Sequence, residues 1–121
     1  MAKKVLIVED EEDLIFLVEN RLKQNGYQVI TATTGREALQ KFRDEKPDLI
    51  LFDVVLPDMD GFEACRIIKK DYRSKVKVLA YTGKLSQVDA QLARQSGADE
   101  LIVKTEDLKT VVENIRNLIG D

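Results

Sequence analysis

The sequence predicts an α/β domain, doubly wound around a parallel sheet. Three observations predict it. Five short runs rich in Val, Ile and Leu are nearly continuous in apolar character, the pattern of strands covered on both faces. The segments between them carry apolar residues at helical spacing. Strand and helix patterns alternate strictly, five of each, which calls for crossover connections and a parallel sheet.

The first strand is "KVLIVE", Lys4 to Glu9. Leu14, Leu17, Val18 and Leu22 then form a helical stripe that stops at "QNG", where Gly26 suits a C-terminal cap. The second strand is "QVITA", Gln28 to Ala32, followed by a stripe of Ala38, Leu39 and Phe42 before Pro47. The third is "DLILFD", Asp48 to Asp53, followed by Phe62, Ala64, Cys65 and Ile68. The fourth is "VKVLAYT", Val76 to Thr82, and its stripe of Leu85, Val88, Leu92 and Ala93 halts near Gly97. The fifth is "ELIVK", Glu100 to Lys104. The last helix opens with Thr105, Glu106 and Asp107, acids that suit a helix N-terminus, and carries Leu108, Val111, Val112, Ile115, Leu118 and Ile119. For five such units the expected strand order is 2-1-3-4-5, the flavodoxin-like (βα)5 arrangement, which covers both faces of the sheet.

Composition narrows the function. The 121 residues suit one domain, 1–121, with a single core. A net charge of -3 gives no basic footprint for nucleic acid. One cysteine, Cys65, on a core stripe, forms no internal disulfide and is expected to be an inert buried thiol. No apolar stretch suits a signal peptide or a membrane span, so a cytoplasmic location is expected. There is no histidine, so any chemistry must run on carboxylates, hydroxyls and amines.

In open α/β sheets ligands bind beyond the carboxyl ends of the strands, near the reversal of winding. Glu9 and Asp10, then Asp53, then Thr82 and Gly83, then Lys104 stand at those ends. Asp10 and Asp53 side by side would repel unless a positive charge lay between them. Lys104 supplies one charge, and a divalent cation supplies the rest; hard oxygen ligands favour Mg²⁺. Asp53 also suits a nucleophile that forms an aspartyl phosphate, with Thr82 and Lys104 on the phosphoryl oxygens. Gly83 leaves space and a backbone N–H there. Singly, each residue reads as a loop acid, a helix cap or a surface lysine; the joint arrangement points to phosphoryl chemistry. Glu11, Glu12 and Asp13 read as first-turn helix acids.

The stretches "LIVEDEED", "LILFDVVLPDMDGFE", "VLAYTGK" and "GADELIVKT", with D-x-x-L-P-x-M-D-G from Asp53 to Gly61, resemble the receiver domain of two-component response regulators, chemotaxis-regulator-like. The resemblance implies that Asp53 accepts a phosphoryl group from the phosphohistidine of a sensor histidine kinase or phosphotransfer protein. It implies Mg²⁺ on Asp10, Asp53 and the Val55 carbonyl, with Glu9 acting through water. It gives Thr82 and Lys104 to the phosphoryl group, and Pro57 and Gly61 to the shape of the loop. Asp60 would cap the next helix, and Asp60 with Glu63 also has the spacing of a capping box.

Two positions depart from the family pattern. Leu101 stands where an aromatic switch residue is usual, and Thr105 stands where proline is usual, so a trans bond is expected there. Tyr81 and Lys84 are expected to crowd or charge the rim, with Lys84 either drawing an anionic donor or standing as a solvated loop lysine. Phosphorylation would bias the Thr82 loop and the face of the fourth helix, fifth strand and fifth helix, read by an unknown output protein or domain, or by a phosphorylation-dependent dimer. Ile15 and Phe16 lie beyond the core stripe of the first helix; either both pack inward under neighbouring loops, or an exposed Phe16 suits docking to the helical bundle of a kinase, as the resemblance suggests.

Other classes fit less well. A flavodoxin-type cofactor protein would need to hold phosphate where five acids stand. An aspartate-nucleophile phosphatase wants an acid at Val55. A degenerate receiver, acting as a phosphorylation-independent interaction module, is the remaining alternative.

Overall fold

The computed structural model describes residues 2–84, 86–104 and 107–120. Five parallel strands alternate with five helices: β1 (Lys4–Val8), α1 (Glu12–Gln24), β2 (Gln28–Ala32), α2 (Gly35–Glu45), β3 (Leu49–Asp53), α3 (Gly61–Arg66), β4 (Lys77–Thr82), α4 (Gln87–Ser96), β5 (Glu100–Val103) and α5 (Leu108–Ile119). The sheet order is β2-β1-β3-β4-β5, as expected, and the fold is flavodoxin-like. A π-helical turn, Ile67–Asp71, extends α3.

Strand residues alternate faces, and two core layers follow. Val5, Ile7, Leu49, Leu51 and Leu79 pack with Val18 and Leu22 of α1 and with Val111, Val112 and Ile115 of α5. Leu6, Val8, Ile50, Phe52 and Val78 pack on the opposite face with Ala38 of α2 and with Ala64, Cys65 and Ile68. The central strand β3 is buried throughout, which is why "DLILFD" shows no polar alternation. The Cys65 thiol is buried, and burial pushes its pKa up, consistent with an inert side chain.

Helix ends follow their local chemistry. After α1 the chain turns at Gly26, φ 89°, where Tyr27 N–H donates to Leu22 O and Gly26 N–H to Lys23 O. That pair of bonds is a Schellman cap, and its left-handed residue suits glycine. Asp60 caps α3 by accepting from Phe62 N–H, but the expected capping box is not completed, because the Glu63 carboxylate bonds Arg66 one turn on. Asp107 caps α5, whose expected opening residues Thr105 and Glu106 lie outside the described residues.

Two stripe assignments are corrected. Leu17 is 52% exposed and Val88 65% exposed. On α1 the inward line is Leu14, Val18 and Leu22, four residues apart, and Leu17 falls on its outer flank. On α4, beside the edge strand, Ala93 and Leu92 carry the packing. Leu85 lies outside the described residues.

Candidate functional site

The site lies at the carboxyl edge of the sheet, where β1, β3, β4 and β5 end. Glu9 and Lys104 were expected inside strands but come one residue after them. Their backbones still continue the ladder: Glu9 N–H donates to Ala32 O and Lys104 N–H to Thr82 O. The parallel register sets Asp53 opposite Tyr81, so Thr82 stands one residue further out on the neighbouring strand.

The Lys104 ammonium joins two acids. Its Nζ lies 2.7 Å from Asp53 Oδ2 and 2.7 Å from Glu9 Oε1. Asp53 and Glu9 are 4% and 3% exposed. The other Asp53 oxygen, Oδ1, accepts from Val55 N–H at 2.9 Å. Glu9 Oε2 accepts from the backbone N–H groups of Asp10 and Glu11, so this carboxylate organises the turn into α1. Lys104 therefore pairs with Glu9 and Asp53, whereas the electrostatic argument from sequence placed it between Asp10 and Asp53. Asp10 is exposed and does not contact Lys104 among the ion pairs of the described residues.

Burial pushes the Glu9 carboxyl above its ordinary value, an effect that the Lys104 ammonium offsets and the nearby Asp53 charge reinforces. Burial alone would lower Lys104, but Asp53 and Glu9 hold its ammonium above the usual lysine range. Lys104 Nζ also lies 5.8 Å from the centre of the Tyr81 ring. Tyr81, expected at the rim, is buried in the core layer beneath that lysine. Lys84 is exposed.

Two carboxylates contact the Lys104 ammonium and Asp10 stands beside them, three acids to one lysine. The ligand oxygens of Glu9, Asp10 and Asp53 lie within 4.8 Å of one another. Glu9 Oε1 is buried and, despite its proximity to Lys104, receives no hydrogen bond of normal geometry. A hard divalent cation fits that donor set.

Thr82 is 3% exposed, but its hydroxyl is engaged elsewhere: Oγ1 lies 3.0 Å from Asp89 Oδ2 on α4 and 3.2 Å from Lys84 O. A Cβ placed on Gly83 would meet nothing within 4 Å, so the space expected beside Thr82 is present. Leu101 is half-buried and packs against the layer of Val54, Phe62, Ala80 and Ala93.

The loop after Asp53 is held from two sides. Gly61 N–H donates to Val54 O, and a Cβ on Gly61 would lie 2.2 Å from Asp53 O, so no larger residue fits without moving the Asp53 backbone. Asp58 accepts from Gly35 and Arg36 N–H, tying the loop to the start of α2, and those bonds hold its carboxyl below the usual range. Sequence reasoning missed Asp58 and Asp89. The spacing Ser86-x-x-Asp89 was a visible N-terminal signal, since Ser86 Oγ accepts from Asp89 N–H. The contacts of Asp58 and Asp89 across the fold had no local signature.

Comparison with known proteins agrees with this geometry. The family model described as response regulator receiver domain matches residues 5–116. The alkaline phosphatase synthesis transcriptional regulatory protein PhoP of Bacillus subtilis (strain 168) is 42% identical over 104 residues, 86% of this chain; the match spans 43% of that relative. A CheY-like response regulator receiver domain protein from Methanospirillum hungatei JF-1 superposes with a TM-score of 0.91 at 32% identity, covering 97% of this chain and 93% of its own. The BeF3-activated N-terminal receiver domain of Klebsiella pneumoniae RstA gives a TM-score of 0.90 at 26% identity, covering 98% and 100%. With its acidic pocket of Glu9, Asp10 and Asp53 at the sheet edge, this chain belongs to the response regulator receiver domain family of two-component signalling, whose members are signalling phosphoacceptors and not classic enzymes.

Proposed function

We propose that residues 1–121 act as one receiver domain in which Asp53 is the phosphoacceptor. The observation that carries this is the hold on Asp53: one oxygen on Val55 N–H, the other on Lys104, with Glu9 and Asp10 beside it. That hold aims a buried carboxylate at the open edge of the sheet. An Asp53 oxygen attacks the phosphorus of a phosphohistidine; the new O–P bond forms as the P–N bond breaks, and the imidazole keeps the electron pair and takes up a proton. Lys104 stabilises the added negative charge, and Thr82 donates its hydroxyl to a phosphoryl oxygen. Glu9, Asp10, Asp53 and the Val55 carbonyl would hold Mg²⁺, which when bound neutralises charge between carboxylate and phosphoryl group.

Membership of the family implies a histidine kinase partner. Phe16, 66% exposed on α1 beside the acidic turn, suits contact with the helices of a kinase or phosphotransfer protein, while Ile15 is half-buried. An output protein, an output domain or a second copy of the chain reads the phosphorylated state. No helix among the described residues is long and apolar enough to cross a membrane; membership of the family supports work in the cytoplasm.

Incubation with acetyl phosphate and Mg²⁺, followed by intact mass measurement, tests the assignment. Wild type is expected to gain one phosphoryl group and Asp53→Asn none. An unmodified wild type would favour the phosphorylation-independent module.

A further inference from the structure

We propose that Asp89 is a positioning residue for Thr82: its carboxylate retains the Thr82 hydroxyl in the unphosphorylated protein, and phosphorylation acts on α4 by taking that hydroxyl away. The inference rests on Asp53 being the phosphoacceptor.

Thr82 is buried and has one hydroxyl hydrogen. An ionised carboxylate only accepts, so in the bond of 3.0 Å between Thr82 Oγ1 and Asp89 Oδ2 the threonine is the donor. Asp89 Oδ2 is the nearer and the charged acceptor, with Lys84 O at 3.2 Å the second, and a hydrogen so engaged is not available to a group on Asp53. Adjacent strands run about 4.8 Å apart, and Thr82 extends one residue past the partner of Asp53, so a phosphoryl group there competes for the same hydrogen. The newcomer carries up to two negative charges against one on Asp89, and Lys104 anchors it.

Asp89 has an alternative once Thr82 leaves. It is the third residue of α4, behind the Ser86 cap, where an acid can reach back to the N-cap backbone N–H and complete a capping box. The Asp89 carboxylate would thus have a second place to accept a hydrogen bond in the first turn of α4, the kind of alternative a two-state switch requires. Leu101 offers neither ring nor hydroxyl, and it packs against the apolar cluster to which Ala93 of the same helix belongs. In this chain the polar link from Thr82 runs to α4 through Asp89, and the apolar link runs through Leu101.

A double-mutant cycle tests this, using beryllofluoride with fixed Mg²⁺ as the phosphoryl stand-in and amide NMR to follow saturation. Asp89→Ala is expected to lower the half-saturating beryllofluoride concentration about 3–10-fold, because the competing bond to a charged acceptor is gone. Asp89→Asn, which keeps the shape and weakens the acceptor, is expected to fall between and carries the cycle if the alanine variant folds poorly. In a Thr82→Ala background either substitution at Asp89 is expected to change nothing, since its effect passes through the hydroxyl. An unchanged half-saturation in both Asp89 variants, or an equal gain without the Thr82 hydroxyl, overturns the latch while leaving Asp53 as phosphoacceptor. Failure of wild type itself to saturate overturns the phosphoacceptor assignment, and the latch with it.

Discussion

The two halves of the site differ in how they are held. Glu9, Asp53 and Lys104 form a closed, buried set, with both Lys104 contacts at 2.7 Å and backbone N–H groups on the remaining carboxylate oxygens Glu9 Oε2 and Asp53 Oδ1. Thr82 ends the adjacent strand, yet its hydroxyl is turned to Asp89 on a helix. The first half is preorganised for charge neutralisation, and the second is spent on a contact that a new ligand can displace. A phosphoacceptor that is also a switch needs both. Chemistry depends on groups that are already placed, and signalling depends on one that moves.

The largest expected effect breaks the preorganised half at its backbone. Gly61→Ala drives a Cβ into Asp53 O, at 2.2 Å, and towards Val54 Cα, at 2.7 Å. We expect a loss of about 3 kcal/mol or more in urea unfolding, because backbone cannot yield as a flexible side chain does. Labelling by acetyl phosphate should fall with it.

Next, Lys104→Met leaves Glu9 and Asp53, with side chains only 4% and 6% exposed, facing each other without their cation. Removing one partner of a buried ion pair costs about 3 kcal/mol. The deficit should shrink when Mg²⁺ is added and also as pH falls and the acids protonate, both read from unfolding curves.

Glu9→Gln works in the opposite direction. The Glu9 carboxyl is raised in the folded state above its ordinary 4.5, so its contribution is fully favourable below that pH and is lost as pH rises through the folded value. In neutral buffer without metal, Glu9→Gln should therefore stabilise the fold by about 0.5–1 kcal/mol. The same substitution should weaken Mg²⁺ binding, which separates the cost of the acid to the fold from its use in the site.

The smallest effect on the fold is expected from Phe16→Ala, at a side chain 66% exposed. Stability should stay within about 0.5 kcal/mol. Labelling by acetyl phosphate should be unchanged, while transfer from a phosphorylated histidine kinase slows. Equal transfer rates would remove Phe16 from the docking surface.

Much of this was legible in the chain. The second strand matched residue for residue at Gln28–Ala32, because edge and turn signals bound it on both sides. Alternation does not write the order of the sheet; 2-1-3-4-5 was expected because it covers both faces, and with that order Glu9, Asp10, Asp53 and Lys104 converge at one edge. What was missed lies where tertiary context decides. Leu17 satisfies helical periodicity but sits on the flank of a narrow stripe, and nothing local separates it from Leu14. Glu63 has capping-box spacing but finds Arg66 first. Of the two acids expected around Lys104, Asp53 is its partner and Glu9 takes the place of Asp10, because sequence shows which charges share an edge and not which of them are buried. The link from Thr82 to Asp89 depends on how a helix beside the sheet edge is seated, and the π-helical turn at Ile67–Asp71 had no sequence warning at all.

A structure of the wild-type protein with Mg²⁺ and beryllofluoride on Asp53 compares the two halves directly. The account predicts that Lys104 keeps its place beside Asp53 and Glu9, and that the Thr82 hydroxyl leaves Asp89 Oδ2 for a fluorine, with the first turn of α4 rearranged. A complex in which Lys104 has swung away from Asp53, while Thr82 still donates to Asp89, would contradict it.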